Sequence, residues 1–439
     1  MERRIRTWIA VAGILFLPFS SYADKSPLKV SVSADAAILI DADTGTPLFE
    51  KNADASLFPA SITKVATALY ILDKHGHRLR EEAVASKTAV AWAPVHLKRS
   101  QSSKYPSFLL ESGATHISLQ EGERATAATL FEGMLIASAN DAANVLAEHL
   151  SGSIPRFVEG LNVYLRSKGF NRTRFDNPHG LYHADHQTTA RDMAGIAREA
   201  MKFPLFREIV GKELYNKPQT NKQPPTPFAQ GNRLLRPGKY FYPHATGIKT
   251  GYTFKSKCTL VASAEKHDRR LIAVVLGSQD NDQRYRDTIA MFEAAFAEKK
   301  ASRLLLTKKY DTFNLNIKGA KQPLRARMQD DLVVDYYPSQ EPQVSTRVEW
   351  DVRRLPIQKG QVVGSILLLD QKQSTLKKIP LAAIDPVDPT FFWKTRHYAY
   401  LIMSMTLTKV IFLAMIIVTA LAGYIFFRLK EERKADTKG

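Results

Sequence analysis

The stretch "AAILIDADTGTPLFEKNAD" carries an apolar run, an Asp-Thr-Gly turn and a second short apolar run, which predicts a β-hairpin. In "FPASITKVATALYILDKH", residues 58–75, apolar positions recur at Val65, Ala68, Leu69 and Leu72 behind Pro59 and Ala60. That is the spacing of an amphipathic helix and its entrance. Residues 92–116 are rich in Ser, Lys and Pro with weak periodicity and read as a long surface loop. A run of helices follows from 126 to about 206, then the Pro/Gln/Asn-rich connection "NKPQTNKQPPTPFAQGN". Two strands, "IKTGYTFKSKCTLVASAEK" and "RRLIAVVLGSQ", and the amphipathic helix "YRDTIAMFEAAFAEK" close this part. Hairpin, helices, strands and a terminal helix predict an α+β domain over 30–300, with helices packed on an antiparallel sheet. From 304 to 390 the texture changes to short β-like runs such as "DLVVDYY" and "VVGSILLLD", which predicts a small β-sandwich.

The two ends differ from this body. Arg3, Arg4 and Arg6, the apolar run 8–19 and Ser21-Tyr22-Ala23 form a secretory signal peptide over 1–23, a short membrane anchor being the alternative. After a linker at 391–409, the uncharged run 410–427 has the length and character of a transmembrane helix, and 428–439 is a basic tail. These features predict an exported body tethered to a membrane by its C-terminus, with the tail in the cytoplasm. The 439 residues leave room for two globular domains, and the net charge of +19 suits an anionic surface such as lipid head groups or a wall polymer. Export separates the chain from nucleic acid. Cys258 is the single cysteine, so no internal disulfide forms, and its apolar strand marks it as a structural thiol.

Ser61 and Lys64 stand three apart and share one face of the first turn of their helix. A serine nucleophile needs a base within hydrogen-bond reach and a place where an oxyanion is stabilised, and a helix entrance supplies backbone N–H groups for the second. Alone the pair carries little: S-x-x-K occurs four times, at Ser26, Ser61, Ser263 and Ser374, against about two by chance. Two further elements occur once each. Ser138-Ala139-Asn140 lies where a helix ends and another begins, a position that suits capping side chains equally well. Lys249-Thr250-Gly251 opens an apolar strand, where a cation, a hydroxyl and a missing side chain permit close approach of an extended ligand. Lys249 would also lower the proton affinity of a neighbouring lysine.

In the order S-x-x-K, S-x-N, K-T-G these elements resemble the low-molecular-mass penicillin-binding proteins, specifically the D-alanyl-D-alanine carboxypeptidases of serine peptidase family S11. The opening hairpin, "FDNPHGLYHADHQTTARDMAGIA" and "LPIQKGQVVGSILLLD" are similar to further segments of that family, over about 36–388. The resemblance implies that Ser61 is the acylated nucleophile, Lys64 its base, and Ser138 a proton relay. It also implies that Asn140 holds the substrate amide and that Lys249, Thr250 and Gly251 line the site of the terminal carboxylate. Arg284 is implied as a carboxylate-binding residue, and the N–H groups of Ser61 and Tyr252 as the oxyanion hole. The implied substrate is a peptidoglycan stem peptide ending in D-Ala-D-Ala, with β-lactams as covalent inhibitors and no cofactor. Ala139 stands where the wider motif has Asp. His179, His183 and His186 have a spacing that zinc would accept, but the segment is read as the family loop, and no metal is expected. A D,D-endopeptidase or transpeptidase, a β-lactamase, and a catalytically silent membrane-tethered wall-binding protein remain alternatives at this point.

Overall fold

The hairpin forms where the apolar runs put it. β1 (Ala36–Asp41) and β2 (Pro47–Lys51) pair antiparallel, and β1 is buried along its whole length. Its turn is closed by Asp41 Oδ1, which accepts from the N–H groups of Asp43 and Thr44, and by Gly45 at φ +78°. The computed structural model describes residues 16–17, 28–100, 104–396 and 407–436.

A single 3₁₀ turn at Ala60–Ile62 leads into α1 (Thr63–Tyr70), whose first seven residues are all buried. The helical stretch follows as α2 (Ala127–Ile136), α3 (Asn140–Ser151), α4 (Ile154–Ser167) and α5 (Ala190–Ala200). Thr126, Ser153 and Thr189 cap α2, α4 and α5 by accepting from backbone N–H groups of the first turn. The segment read as one strand at 248–266 is itself a hairpin: β3 (Ala245–Thr253) and β4 (Lys257–Lys266), followed by β5 (Arg269–Ser278) and α6 (Gln283–Phe296). The break comes at Thr253 and Ser256, whose hydroxyls bond each other and whose backbone N–H groups are each taken by the other's hydroxyl.

These strands form one antiparallel sheet in the order β3-β4-β5-β1-β2, covered on both faces. Ile38, Ile40, Ile272 and Val274 point into a core shared with Val65, Leu69, Phe131 and Leu146 of the helices. The alternate residues Leu39, Ala273 and Val275 point the other way, onto Tyr285 and Phe292 of α6. The expected surface loop 92–116 is instead partly built into the domain. It contains the helix Val95–Ser100 and a short parallel pairing of Trp92 with Leu110 and Ala93 with Glu111. Lys98 and Glu111 form a buried ion pair at 3.1 Å, a pairing across thirteen residues that low periodicity does not reveal.

The chain divides into two units: Asp24–Lys300 with Tyr337–Glu341, and Ala301–Tyr336 with Pro342–Gly439 and Met1–Ala23. The second contains β6 (Ala301–Leu306), β7 (Thr312–Leu315), β8 (Leu324–Met328), β9 (Leu332–Tyr336), β10 (Ser345–Trp350), β11 (Val362–Leu369) and β12 (Thr375–Ala383). β6 and β9 form a two-stranded sheet, and β10-β11-β12-β8-β7 lie in a larger one. Leu306 and Val334 of the first share a core with Val348, Ile366 and Leu381 of the second. Phe16 and Leu17, inside the segment expected to be a signal peptide, pair with Arg347 and Thr346 of β10. The rest of that segment, including the cleavage site at Ala23, lies outside the described residues, as does 397–406 of the expected linker.

The last element is α7 (Leu407–Asp436). It runs through the apolar stretch and on into the basic tail, so no helix end separates the two parts as expected. Among the described residues, no helix is long and apolar enough to cross a membrane, and the transmembrane helix expected at 410–427 is therefore not supported by the structure.

Ile272 sits on the central strand with no exposed surface. Ile272→Ala is expected to lower unfolding free energy by about 2–5 kcal/mol, read from the urea midpoint of the full chain.

Candidate active site

Buried polar groups of α1 determine what surrounds Ser61. Thr63, Lys64 and Thr67 share no face with water, so each must find a partner inside the protein. The segment 177–188 provides most of them. Thr67 Oγ1 donates to the carbonyl of Pro178 at 2.7 Å, and Lys64 Nζ donates to that of His179 at 2.7 Å. Thr63 Oγ1 donates to the carbonyl of Ala60 and lies 2.8 Å from His186 Nε2. His186 Nδ1 accepts from the N–H of Asp176, so its proton is on Nε2 and is donated to Thr63. The 177–188 segment is kept in shape by Asn177, whose Oδ1 accepts from the N–H groups of His179 and Gly180 and whose Nδ2 donates to the carbonyl of Leu181.

Lys64 Nζ has three neighbours: His179 O, Asn140 Oδ1 at 2.6 Å and Ser61 Oγ at 3.0 Å. The first two are carbonyl oxygens and can only accept. A neutral amine has two N–H groups and one lone pair, so once both N–H groups are given to the carbonyls the lone pair is left facing the Ser61 hydroxyl. Burial holds Lys64 well below its ordinary pKa, the charge of Lys249 pushes it further down, and Asp141 opposes both. The site therefore contains a serine with a neutral amine in hydrogen-bond reach.

Two glycines let backbone crowd this serine. At Gly180, φ +97°, a Cβ would lie 1.9 Å from the carbonyl oxygen of Ala60 and 3.0 Å from Ser61 N. At Gly251 on β3 it would lie 2.9 Å from Ser61 N and 3.0 Å from Pro59 O. Ala60 itself adopts φ +54°, a left-handed conformation that an alanine takes only under constraint. Thr259 of β4 adds to it by donating to the carbonyl of Pro59 at 2.8 Å.

Of the residues singled out from sequence, Ser61, Lys64 and Asn140 come into direct contact. Ser138, at φ +59° between α2 and α3, has no hydrogen-bond partner for its hydroxyl among the described residues. Lys249 is fully buried and, among the described residues, reaches only the Thr250 carbonyl, at 3.2 Å; burial and then Arg284 push its pKa down to about 7. Tyr252 is exposed, two-thirds of its surface facing out. Arg284, expected as a carboxylate-binding residue, lies against the sheet backbone. Its guanidinium is buried and donates to the carbonyls of Gly251 and Thr259 and to the Tyr285 hydroxyl.

Cys258 is buried, and burial raises its thiol pKa, as suits a structural thiol. His179 Nε2 donates to the carbonyl of Phe108 at 3.0 Å while Nδ1 accepts from Leu181 N–H, and burial holds it neutral. The three histidines do not converge. Asp176, His183 and Asp185 do, within 4.8 Å, and Arg174 already lies 3.6 Å from Asp176. Sequence reading passed over Thr63, Gly180 and Asp141. For Gly180 the signal was the turn Asn-Pro-His-Gly; for the other two there was none.

A serine beside a buried neutral lysine, set between a helix entrance and the edge strand of an antiparallel sheet, defines an acyl-transferring serine enzyme. The chain belongs to the D-alanyl-D-alanine carboxypeptidase family, peptidase family S11, whose profile matches residues 22–280. It is 31% identical over 395 residues to the D-alanyl-D-alanine carboxypeptidase DacF of Bacillus subtilis, covering 87% of this chain and 94% of that protein. It is 29% identical to DacC of Escherichia coli, covering 86% and 90%. Penicillin binding protein 5 from Haemophilus influenzae has a similar structure, with a TM-score of 0.55 at 25% identity over 82% of this chain and 98% of that one.

Gly180→Ala is expected to push the Ala60 peptide and Ser61 out of place and to slow covalent labelling of Ser61 by a penicillin roughly 100-fold, measured by stopped-flow with a fluorescent penicillin.

Proposed function

We infer that this chain is a serine-type D-Ala-D-Ala carboxypeptidase that removes the terminal D-Ala of peptidoglycan stem pentapeptides through an acyl-enzyme on Ser61. The observation that carries the reading is the fully buried Lys64 amine, 3.0 Å from Ser61 Oγ and held there by Asn140 Oδ1 and the His179 carbonyl.

Lys64 takes the proton of Ser61 as Oγ attacks the carbonyl carbon of the penultimate D-Ala. The carbonyl oxygen becomes an oxyanion and receives the N–H groups of Ser61 and Tyr252. Collapse breaks the C–N bond. The proton held by Lys64 passes to the departing D-Ala nitrogen by way of the Ser138 hydroxyl, two residues before the Asn140 side chain that bonds Lys64. Water then attacks the ester and gives its proton to Lys64; the acyl C–Oγ bond breaks, Lys64 returns that proton to Ser61 Oγ, and the shortened peptide leaves. Asn140 commits its Oδ1 to Lys64 and offers its Nδ2 to a substrate carbonyl. Lys249, Thr250 and Gly251 receive the terminal carboxylate, and Arg284 adds positive charge from behind the strand it braces. A β-lactam acylates Ser61 by the same attack.

Export and tethering belong to the same proposal: the body lies on the outer side of the bacterial inner membrane and the apolar run in α7 contacts lipid. The uncharged sequence of 410–427 and the exposure of Phe412, Ile416 and Phe427 support it.

The full chain should release one D-Ala from a pentapeptide ending in D-Ala-D-Ala, and Ser61→Ala should release none and lose penicillin labelling. Labelling without release would overturn the carboxypeptidase reading. Lys249 loses its charge as pH rises through about 7, so KM for this carboxylate-terminated peptide should rise there. KM for the corresponding C-terminal amide should not. In cell fractionation the full chain should stay with membranes through carbonate washing and a chain ending at 395 should not.

A further inference from the structure

Ser138 and Asn140 stand on a turn that must hold two unfavourable features at once: a left-handed serine and an amide aimed at a buried amine. What holds it is Asp141. Its side chain is almost fully buried and has no ion-pair partner among the described residues. Its two carboxylate oxygens accept from the N–H of Ile117 at 3.2 Å, of Leu119 at 2.9 Å and of Ala142 at 2.9 Å. The segment 115–119 is thereby clamped to the first turn of α3. The same segment grips the turn twice more: Thr115 Oγ1 donates to the carbonyl of Ser138 at 2.7 Å, and Asn140 N–H donates to the carbonyl of Thr115 at 3.0 Å.

We propose that Asp141 is a positioning residue for the acylation step: it anchors the Ser138-Ala139-Asn140 turn through three backbone N–H groups. The residue type follows from the donors. Three converging N–H groups need an acceptor-only side chain, and an amide of the same shape would set an NH₂ against one of them. The charge acts on Lys64 together with the other groups that face it. Lys249 of β3, when charged, works against protonation of Lys64, and Asp141 of α3 works for it. His179 and His186, from the segment packed on α1, are held neutral by burial, with Lys98 near both. Around Asp141 itself, burial favours the neutral acid, while its three N–H donors and His116 favour the carboxylate.

The inference rests on Ser61 and Lys64 acting as proposed above, and its test reads acylation by a penicillin, which does not depend on which peptide the enzyme cleaves. D-Ala release by the unaltered chain tests that other reading separately. In the full chain, Asp141→Asn is expected to slow Ser61 labelling at least about tenfold. It should also move the acidic limb of the rate–pH profile about half a unit or more to lower pH, since loss of the negative charge makes Lys64 easier to deprotonate. A purely structural role would lower the melting temperature and the labelled fraction and leave the limb in place. An unchanged limb with an unchanged rate overturns the proposal, as does an unchanged limb with a slower rate that tracks lost folded protein. If Asp141→Asn does not fold, Thr115→Val decides. It removes one grip on the Ser138 carbonyl and is expected to slow labelling severalfold with folding intact, whereas labelling at the parent rate overturns the positioning role.

Discussion

A lysine amine with no access to water is the constraint around which the catalytic unit is organised. An ammonium in that position would lose its hydration; burial accordingly lowers the amine's proton affinity, and two carbonyl oxygens take its N–H groups. Each oxygen comes from a different part of the chain: Asn140 from the start of α3, and His179 from the segment packed against α1. Satisfying Lys64 therefore requires the 177–188 segment, α3 and α1 to meet at one point. The catalytic arrangement and the packing of the helices are one structural problem with one solution.

The same economy governs the backbone around Ser61. Three stretches of main chain converge there: the Ala60 turn, Gly180 and Gly251. No Cβ fits at either glycine, and Ala60 is held in a left-handed conformation by partners on several sides, among them the Thr63 hydroxyl on its carbonyl. The strain is stable because the surroundings over-determine it. Its consequence is positional: the Ser61 backbone N is held close to both Gly180 and Gly251 of β3.

Charge is distributed to suit two different tasks within this small volume. Lys64 must be neutral to accept a proton, and Lys249 serves better charged. Burial lowers both, and the second is pushed only to about 7. Arg284, committed to the carbonyls of β3 and β4, contributes to this balance without touching Lys64.

Much of this was legible in the chain itself. The hairpin at 36–51, the helical series from 126, the change of texture near 304 and the triad of motifs at Ser61, Ser138 and Lys249 are local patterns of two to twenty residues. Local patterns are set by side-chain spacing, turn chemistry and backbone stiffness, which act between near neighbours. What the sequence could not reveal depends on distant residues meeting. The 92–116 stretch looked like a loop because its buried pair, Lys98 and Glu111, is not periodic. That Arg284 also binds the carbonyls of β3 and β4 is a contact between distant residues that no local pattern carries. Asp141 and Thr63 looked like ordinary helix residues until the donors and acceptors facing them were in place. The sequence by itself determined which groups were available and which elements would carry them. Tertiary structure decided which would lose water, because desolvation is a property of the packed whole, and with it which lysine is neutral and which serine reacts.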